Sequence, residues 1–352
     1  MPKRSGAMSI TTRLGAAMLA VIAGACFLTL PWSTGWIGDR DNDGKADFAA
    51  SRQSLGDQYL APGQTRETPA AEARDAAEAG DKAEAGDEAA PAPQRFAWGS
   101  DALGRSLLWR CLLGGAVSLG IGIAAASIAV VIGVTWGAVA GYLGGAWDGV
   151  MMRIVDVLIG LPYLLLVVLI DFSLDGPMEA GLGWIESQWT GKEPGAVSST
   201  ASSLLTLLLA IGSLSWLTMS RVVRGQVLSL RSRPFVEAAR AAGAGPWRIL
   251  RRHLAPNLVG VIVVYATLTV PIAILQESFL SFLGIGVEEP LPSWGLLAAD
   301  GAKQLPALVS PSLNFNWWLP VFPCVLLGAT LLSLNFMGDG LRERFDPRSA
   351  RR

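Results

Sequence analysis

The chain has 352 residues, of which 51% are hydrophobic and only 16% charged, with a mean hydropathy of +0.41 and a formal net charge of −1. A soluble globular protein carries about 25% charged residues, so this composition excludes an ordinary soluble domain and requires a membrane protein. The balanced charge gives no basis for a nucleic-acid partner. Cys26, Cys111 and Cys324 are odd in number, widely spaced and set in or beside apolar runs, which reads as small core residues rather than a disulfide or metal framework.

The opening Met1–Arg13 is short and basic, and Leu14–Pro31 is an apolar run that ends at Pro31-Trp32. A cleaved signal peptide is one reading of that pattern. The other, which we favour, is a retained first membrane helix, because the run is long enough to cross a bilayer and Trp32 suits an interfacial anchor. Residues 32–106 differ in kind. From Thr65 to Pro93 they are Ala, Glu, Asp, Gly and Pro with almost no large apolar side chain, so burial cannot offset the entropy of ordering. We expect a partly disordered acidic insert there.

Ahead of the insert lies Gly38–Phe48. Asp39, Asp41, Asp43 and Asp47 stand at positions 1, 3, 5 and 9, with Gly44 at 6 and the Lys45 carbonyl at 7. Such spacing can wrap a hard cation in oxygen. The stretch resembles the calcium loop of integrin-type propeller repeats, in a single copy, and an acidic solvated loop is the other reading. An EF-hand is disfavoured by Ala50 at its twelfth position.

Five further apolar runs follow: Leu112–Tyr142, Val150–Phe172, Leu204–Leu217 with its flanks, Leu258–Phe282 and Trp317–Met337. In the first of these Gly120, Gly122, Gly133 and Gly137 should let neighbouring helices approach closely. The next carries Arg153 and Asp156 at its start and Pro162 inside, which predicts a kink; Asp171 falls near its outer end. With the opening helix these runs make an all-α membrane protein of six crossings, so both termini face one side. Lys3, Arg4, Arg13, Arg153, the arginines between Arg221 and Arg252, and those of the carboxyl tail then fall on the cytoplasmic side. The two short outer loops hold only Lys192 and Lys303.

The basic loop of residues 231–257, RSRPFVEAARAAGAGPWRILRRHLAPN, joins the fourth and fifth crossings. Pro234 suits a first helical turn, Glu237 complements its dipole, and Gly243 supplies a left-handed stop. Pro246 opens a second helix, expected to end before Pro256. Phe235, Ala238, Ala239 and Ala242 fall at i, i+3, i+4 and i+7, a small apolar face that another surface can approach. Periodicity alone fits an amphipathic linker on lipid headgroups equally well. In the fifth crossing Gln276 and Glu277 are polar where a carboxylate is expensive, which makes them pathway or interface candidates, unless Glu277 already meets water at the helix end.

Glu237-Ala238-Ala239, Gly243, His253 and Pro256 resemble the EAA signature of ABC importer permeases, with His253 and Ala255 at its Ile and Leu positions. Gly99, Asp101, Leu103, Gly104 and Arg105, then Leu283, Gly284, Gly286, Pro290, Pro292, Ser293, Trp294, Gly295 and Asp300, resemble stretches of the peptide-type branch. Ser100 and Ser106 depart from the first of these stretches, and Asp101 reads equally well as an ordinary N-cap. Asn335, Gly338, Asp339, Leu341, Arg342 and Asp346-Pro347-Arg348 match that branch's ending. The chain is thus similar to the C-type permease subunit of a dipeptide or oligopeptide ABC importer.

That resemblance implies a type I importer fold in a bacterial inner membrane. Residues 1–31 would form the amino tail and first helix, 32–106 a periplasmic insert, 107–338 the permease domain and 339–352 a cytoplasmic tail. The 231–257 loop would be a coupling helix docked on a separate ATPase. It implies a B-type permease partner, two ABC ATPases carrying ATP and Mg, an outer substrate-binding protein, surrounding lipid, and no cofactor of the chain's own for transport. Consistent with this, the chain has no G-x-x-x-x-G-K-[ST] loop for phosphates and, with one histidine, no Ser/His/Asp triad, HExxH or CxxC cluster. A membrane interaction or sensing protein built on the same scaffold, or an ion-coupled carrier or channel, are the alternatives. Cargo choice in such importers rests largely on the binding protein, so dipeptides, longer peptides and nickel all remain open.

Overall fold

The computed structural model describes residues 10–34, 58–64, 96–191, 195–308 and 315–345. The Asp39–Asp47 loop, the acidic stretch from Thr65 to Pro93, Lys192 and the tail from Asp346 lie outside them. Among the described residues the chain is helical, with one isolated bridge between Ser100 and Ser106. The main helices are α1 (Ile10–Leu28), α2 (Leu107–Leu143), α3 (Gly145–Gly160), α4 (Tyr163–Thr190) and α5 (Ala196–Arg231). They continue as α6 (Pro234–Ala241), α7 (Pro246–Phe282), α8 (Trp294–Ala302) and α9 (Trp318–Phe345).

Five helices, α1, α2, α5, α7 and α9, are long and apolar enough to cross a membrane, and the pair α3–α4 makes a sixth only if counted as one broken span. The expected kink at Pro162 is in fact a corner of 97° between two helices. Leu161 is driven to extended backbone (ψ 148°) by the proline that follows, and Pro162 is itself extended at ψ 116°, so the helix cannot run through. Nor does the third run stop near Asp171: α4 continues to Thr190, which places Asp171 in the helix interior.

α2 and α7 each have 37 residues and α5 has 36. At 1.5 Å per residue that is about 55 Å, well beyond the roughly 30 Å of a hydrocarbon core. Helices of this length exceed the hydrocarbon core, so parts of α2, α5 and α7 lie beyond it.

α2 and α5 pack along a seam of small residues. A Cβ at Gly133 would lie 2.6 Å from that of Met219, and one at Gly137 would collide with the Ser220 carbonyl. Without a hydrophobic force between helices in lipid, this close backbone approach supplies the packing. Gly122 serves α7 in the same way, at Ile274. Gly120 does not take part: nothing lies within 4 Å of its would-be Cβ. At the end of the seam Arg224 grips Asp148 of α3 in a two-pronged pair at 2.5 and 2.6 Å, and Arg231 donates to the Gly141 and Tyr142 carbonyls that end α2.

Candidate coupling and translocation sites

The loop between α5 and α7 is an ordered helix–elbow–helix. Pro234 stands in the first turn of α6 and Glu237 in its acidic position. The helix ends where Gly243 N–H donates to Arg240 O (2.9 Å) and Ala244 N–H to Ala239 O (3.0 Å), the paired bonds of a Schellman stop. Gly243 has φ +79°, a left-handed conformation that a side chain resists.

α6 is anchored by a residue outside its small apolar face. Val236 is fully buried, and with Ala239 and Ala244 it packs against Val223 and Val227 of α5 and Ile249, Leu254 and Leu258 of α7. Phe235, Glu237, Ala238 and Ala242 are left exposed. Phe235, Ala238 and Ala242 of the small apolar face are thus presented outward, while Ala239 turns inward, on a helix pinned from behind.

The second helix does not end before Pro256. It passes through a π turn at Leu250–Leu254 and continues as α7 into the membrane. A proline ring clashes with the carbonyl four residues back, here Arg252, and the wider π turn displaces that carbonyl. His253 is half-buried in this turn, and its carbonyl accepts from the Asn257 amide at 2.7 Å; Pro256 is exposed.

Deeper in the fold, α3, α4, α5 and α7 line a cavity of about 390 Å³. Its walls are mainly apolar, with polar groups from Tyr163, Ser215, Thr218, Thr269 and Gln276. The Tyr163 hydroxyl is buried with no hydrogen-bond partner among the described residues. Gln276 lines this cavity, whereas Glu277 turns away into full burial. There Ser281 donates to one carboxyl oxygen at 2.8 Å and Ser278 to the other at 3.2 Å, with Ser118 and Ser293 close by. Glu277 therefore meets no water at a helix end; serines of its own helix hold it, with α2 and the start of α8 packed alongside.

At the opposite end of α2 from the 231–257 loop, Asp101 is the centre of a buried ionic network rather than an N-cap; the residue before α2 is Ser106. One Asp101 oxygen accepts from the backbone of Leu103 and Arg105, and the other from the side chains of Arg105 (2.7 Å) and Arg110 (2.5 Å). Arg105 forks onto Glu289 at 2.8 and 2.9 Å, and Arg110 adds a bond of 2.9 Å. The Arg105 guanidinium, helped by Arg110 and opposed by burial, holds Glu289 below its ordinary carboxylate range. Sequence reasoning passed over Arg110 and Glu289. An arginine within an apolar run was a usable signal for the first; only the fold places the second.

Residues 133–351 match the family of binding-protein-dependent transport system inner membrane components. The chain belongs to this family. It is 44% identical over 251 residues to the oligopeptide transport system permease protein OppC of Escherichia coli K12, covering 71% of this chain and 72% of that relative. It is 42% identical over 254 residues to the dipeptide transport system permease protein DppC of Bacillus subtilis, covering 72% and 69%. With OppC of Bacillus subtilis it shares 38% identity over 257 residues, covering 73% of each. As an inner membrane component of such a system the chain is a transport subunit, and its helices are the membrane-spanning part. The matched residues contain the 231–257 loop, the cavity lining and Glu277 itself, and begin after Asp101, Arg105, Arg110 and Ser118.

Proposed function

We propose that this chain is the C-type permease subunit of an ATP-driven importer of di- or oligopeptides. It would cross a bacterial inner membrane six times, with α3–α4 as the broken third span and both termini cytoplasmic. Paired with a B-type permease, it would be served by two ATPase subunits and by a periplasmic binding protein that delivers cargo. The chain would carry out no chemistry itself; ATP and Mg act on the ATPases. The observation that carries the reading is the outward face of Phe235, Glu237 and Ala238 on a helix whose back is locked into the membrane helices.

Closure of the ATPases would push α6 and its Gly243 elbow as one body. Because the second arm of the loop is the start of α7, the push travels along a single helix from Leu250 to Gln276, about 39 Å at 1.5 Å per residue. It would tilt the wall of the 390 Å³ cavity against the partner permease and expose the pathway to each side in turn. Such switching needs the α6 contact to differ in strength between the two states. Moving a 1:99 balance to 99:1 takes about 5.5 kcal/mol of differential binding, and an equal contact in both states would shift nothing.

The test is uptake by the reconstituted complex alongside its ATP hydrolysis. Glu237→Lys should abolish uptake while the chain still inserts; normal nucleotide-driven uptake by this variant, or accumulation by the chain alone without nucleotide, would refute the lever. The Asp39–Asp47 loop remains a proposed calcium site, checked by calcium titration of the intact protein against Asp41→Asn/Asp43→Asn.

A further inference from the structure

One surface feature is unused by the coupling scheme. Where α7 leaves the membrane, Trp247, Arg248, Arg251, Arg252 and Pro256 line an open recess of about 480 Å³. The three arginines recur at i, i+3 and i+4, all are exposed, and none has an ion-pair partner among the described residues. Trp247 is 70% exposed. Beside it, sharing Trp247 and Arg251 as a common rim, runs a second groove of about 360 Å³ between α2 and α7. Thr135 and Arg251 apart, its lining is apolar: Val134, Ala138 and Val139 from α2, with Leu250, Leu258 and Ile262 from α7. It shares no lining residue with the cavity that holds Gln276.

The two recesses together are amphipathic in a definite direction. The apolar groove lies beside the membrane-spanning runs, and the cationic recess caps it where α7 emerges. Leu258 begins the apolar run of α7, and Arg251 stands seven residues before it, about 10 Å further along the helix and so at headgroup depth. An exposed indole at that level is the usual interfacial anchor. Grooves of roughly 300–1,000 Å³ are the size that holds a small ligand.

We propose that this surface is a binding site for an anionic phospholipid, its phosphate on Arg248, Arg251 and Arg252 and one acyl chain in the α2–α7 groove. A soluble ATPase could meet the arginines but could not reach Val134 or Ile262 at membrane depth, whereas one lipid molecule satisfies both recesses. The bound lipid would brace the root of α7, next to the π turn through which the elbow acts. The proposal rests on α2 and α7 spanning the membrane and is independent of which cargo is carried.

The assembled complex, purified in mild detergent and incubated with equal phosphatidylglycerol and phosphatidylcholine, can be read by native mass spectrometry. Retention should favour phosphatidylglycerol. Binding should weaken on the order of five-fold for each arginine removed along the series to Arg248→Gln/Arg251→Gln/Arg252→Gln. All three side chains are exposed, so folding is not at stake. Ala255→Phe, which fills the groove without changing charge, should also reduce retention. Equal retention of both lipids by the parent, or unchanged phosphatidylglycerol retention in the triple variant, overturns the proposal. Loss of the ATPase subunits from the triple variant with lipid retention unchanged would assign the arginines to a protein contact and overturn it as well. Uptake is not the readout, so failure here is distinct from failure of the importer reading.

Discussion

Arg110→Ala tests the outer ionic network most directly. Arg110 is 1% exposed and bonds both Asp101, itself 5% exposed, and Glu289. Removing one member of a buried pair costs about 3–5 kcal/mol, mostly from the charge left behind. Here Arg105 stays to face both carboxylates and Glu289 is 44% exposed, so the lower end, about 3 kcal/mol, is expected. At 1.4 kcal/mol per decade that is about a hundred-fold in the opened fraction.

Cys111 is the natural reporter. It is fully buried next to Arg110, and its carbonyl accepts from the Trp294 indole at 3.0 Å. With Cys26 and Cys324 replaced by Ala, labelling of this thiol by a maleimide should accelerate about a hundred-fold in Arg110→Ala. Arg221→Ala, which breaks a surface pair 46% and 53% exposed, should change it by no more than about five-fold, within 1 kcal/mol. A labelling rate in Arg110→Ala within three-fold of the parent would refute the network as a stabilising element. Glu289 is depressed in the folded state, so its contribution is complete above the ordinary carboxylate value of 4.5 and fades only as pH falls below it. Because maleimide attacks the thiolate, the rate is taken relative to that of unfolded protein at the same pH; that ratio should be flat from pH 8 down to about 4.5 and rise in more acid solution.

Gly243→Val places a β-branched residue at φ +79°, a strain of about 1–2 kcal/mol; uptake should fall while ATP hydrolysis by the complex continues, and coupled uptake would count against the elbow. Gly137→Leu drives a side chain into the Ser220 carbonyl and should cost at least 1–3 kcal/mol, seen as loss of assembled protein from the membrane fraction. Glu277→Leu leaves serine hydroxyls without their acceptor and should destabilise by about 1–3 kcal/mol in a thermal assay, whereas Glu277→Gln keeps an acceptor and should be far milder. Gln276→Leu, on the cavity wall, should alter uptake with little effect on stability.

Much of the molecule was legible in the chain because a membrane makes local pattern decisive. Apolar length identifies the crossings, since every backbone group in hydrocarbon must be satisfied within its own helix. The elbow was equally local: Pro234, Glu237 and Gly243 act within one turn of where they stand, and α6 starts and stops where they predict. Long-range placement was not available from pattern. Phe235, Ala238 and Ala242 share a helical face, yet which face turns inward depends on Val223, Val227 and Leu258 arriving behind Val236. Pro256 could not announce that a π turn ahead of it would carry the helix onward. Glu277 and Gln276 are neighbours in the chain, and only the packing of α2 and α8 gives one a shell of hydroxyls and leaves the other on a cavity wall. Asp101 and Glu289, nearly two hundred residues apart, are bridged by Arg105 and Arg110, because charges held away from water are paired by whatever the fold brings within reach, and spacing along the chain says nothing about that.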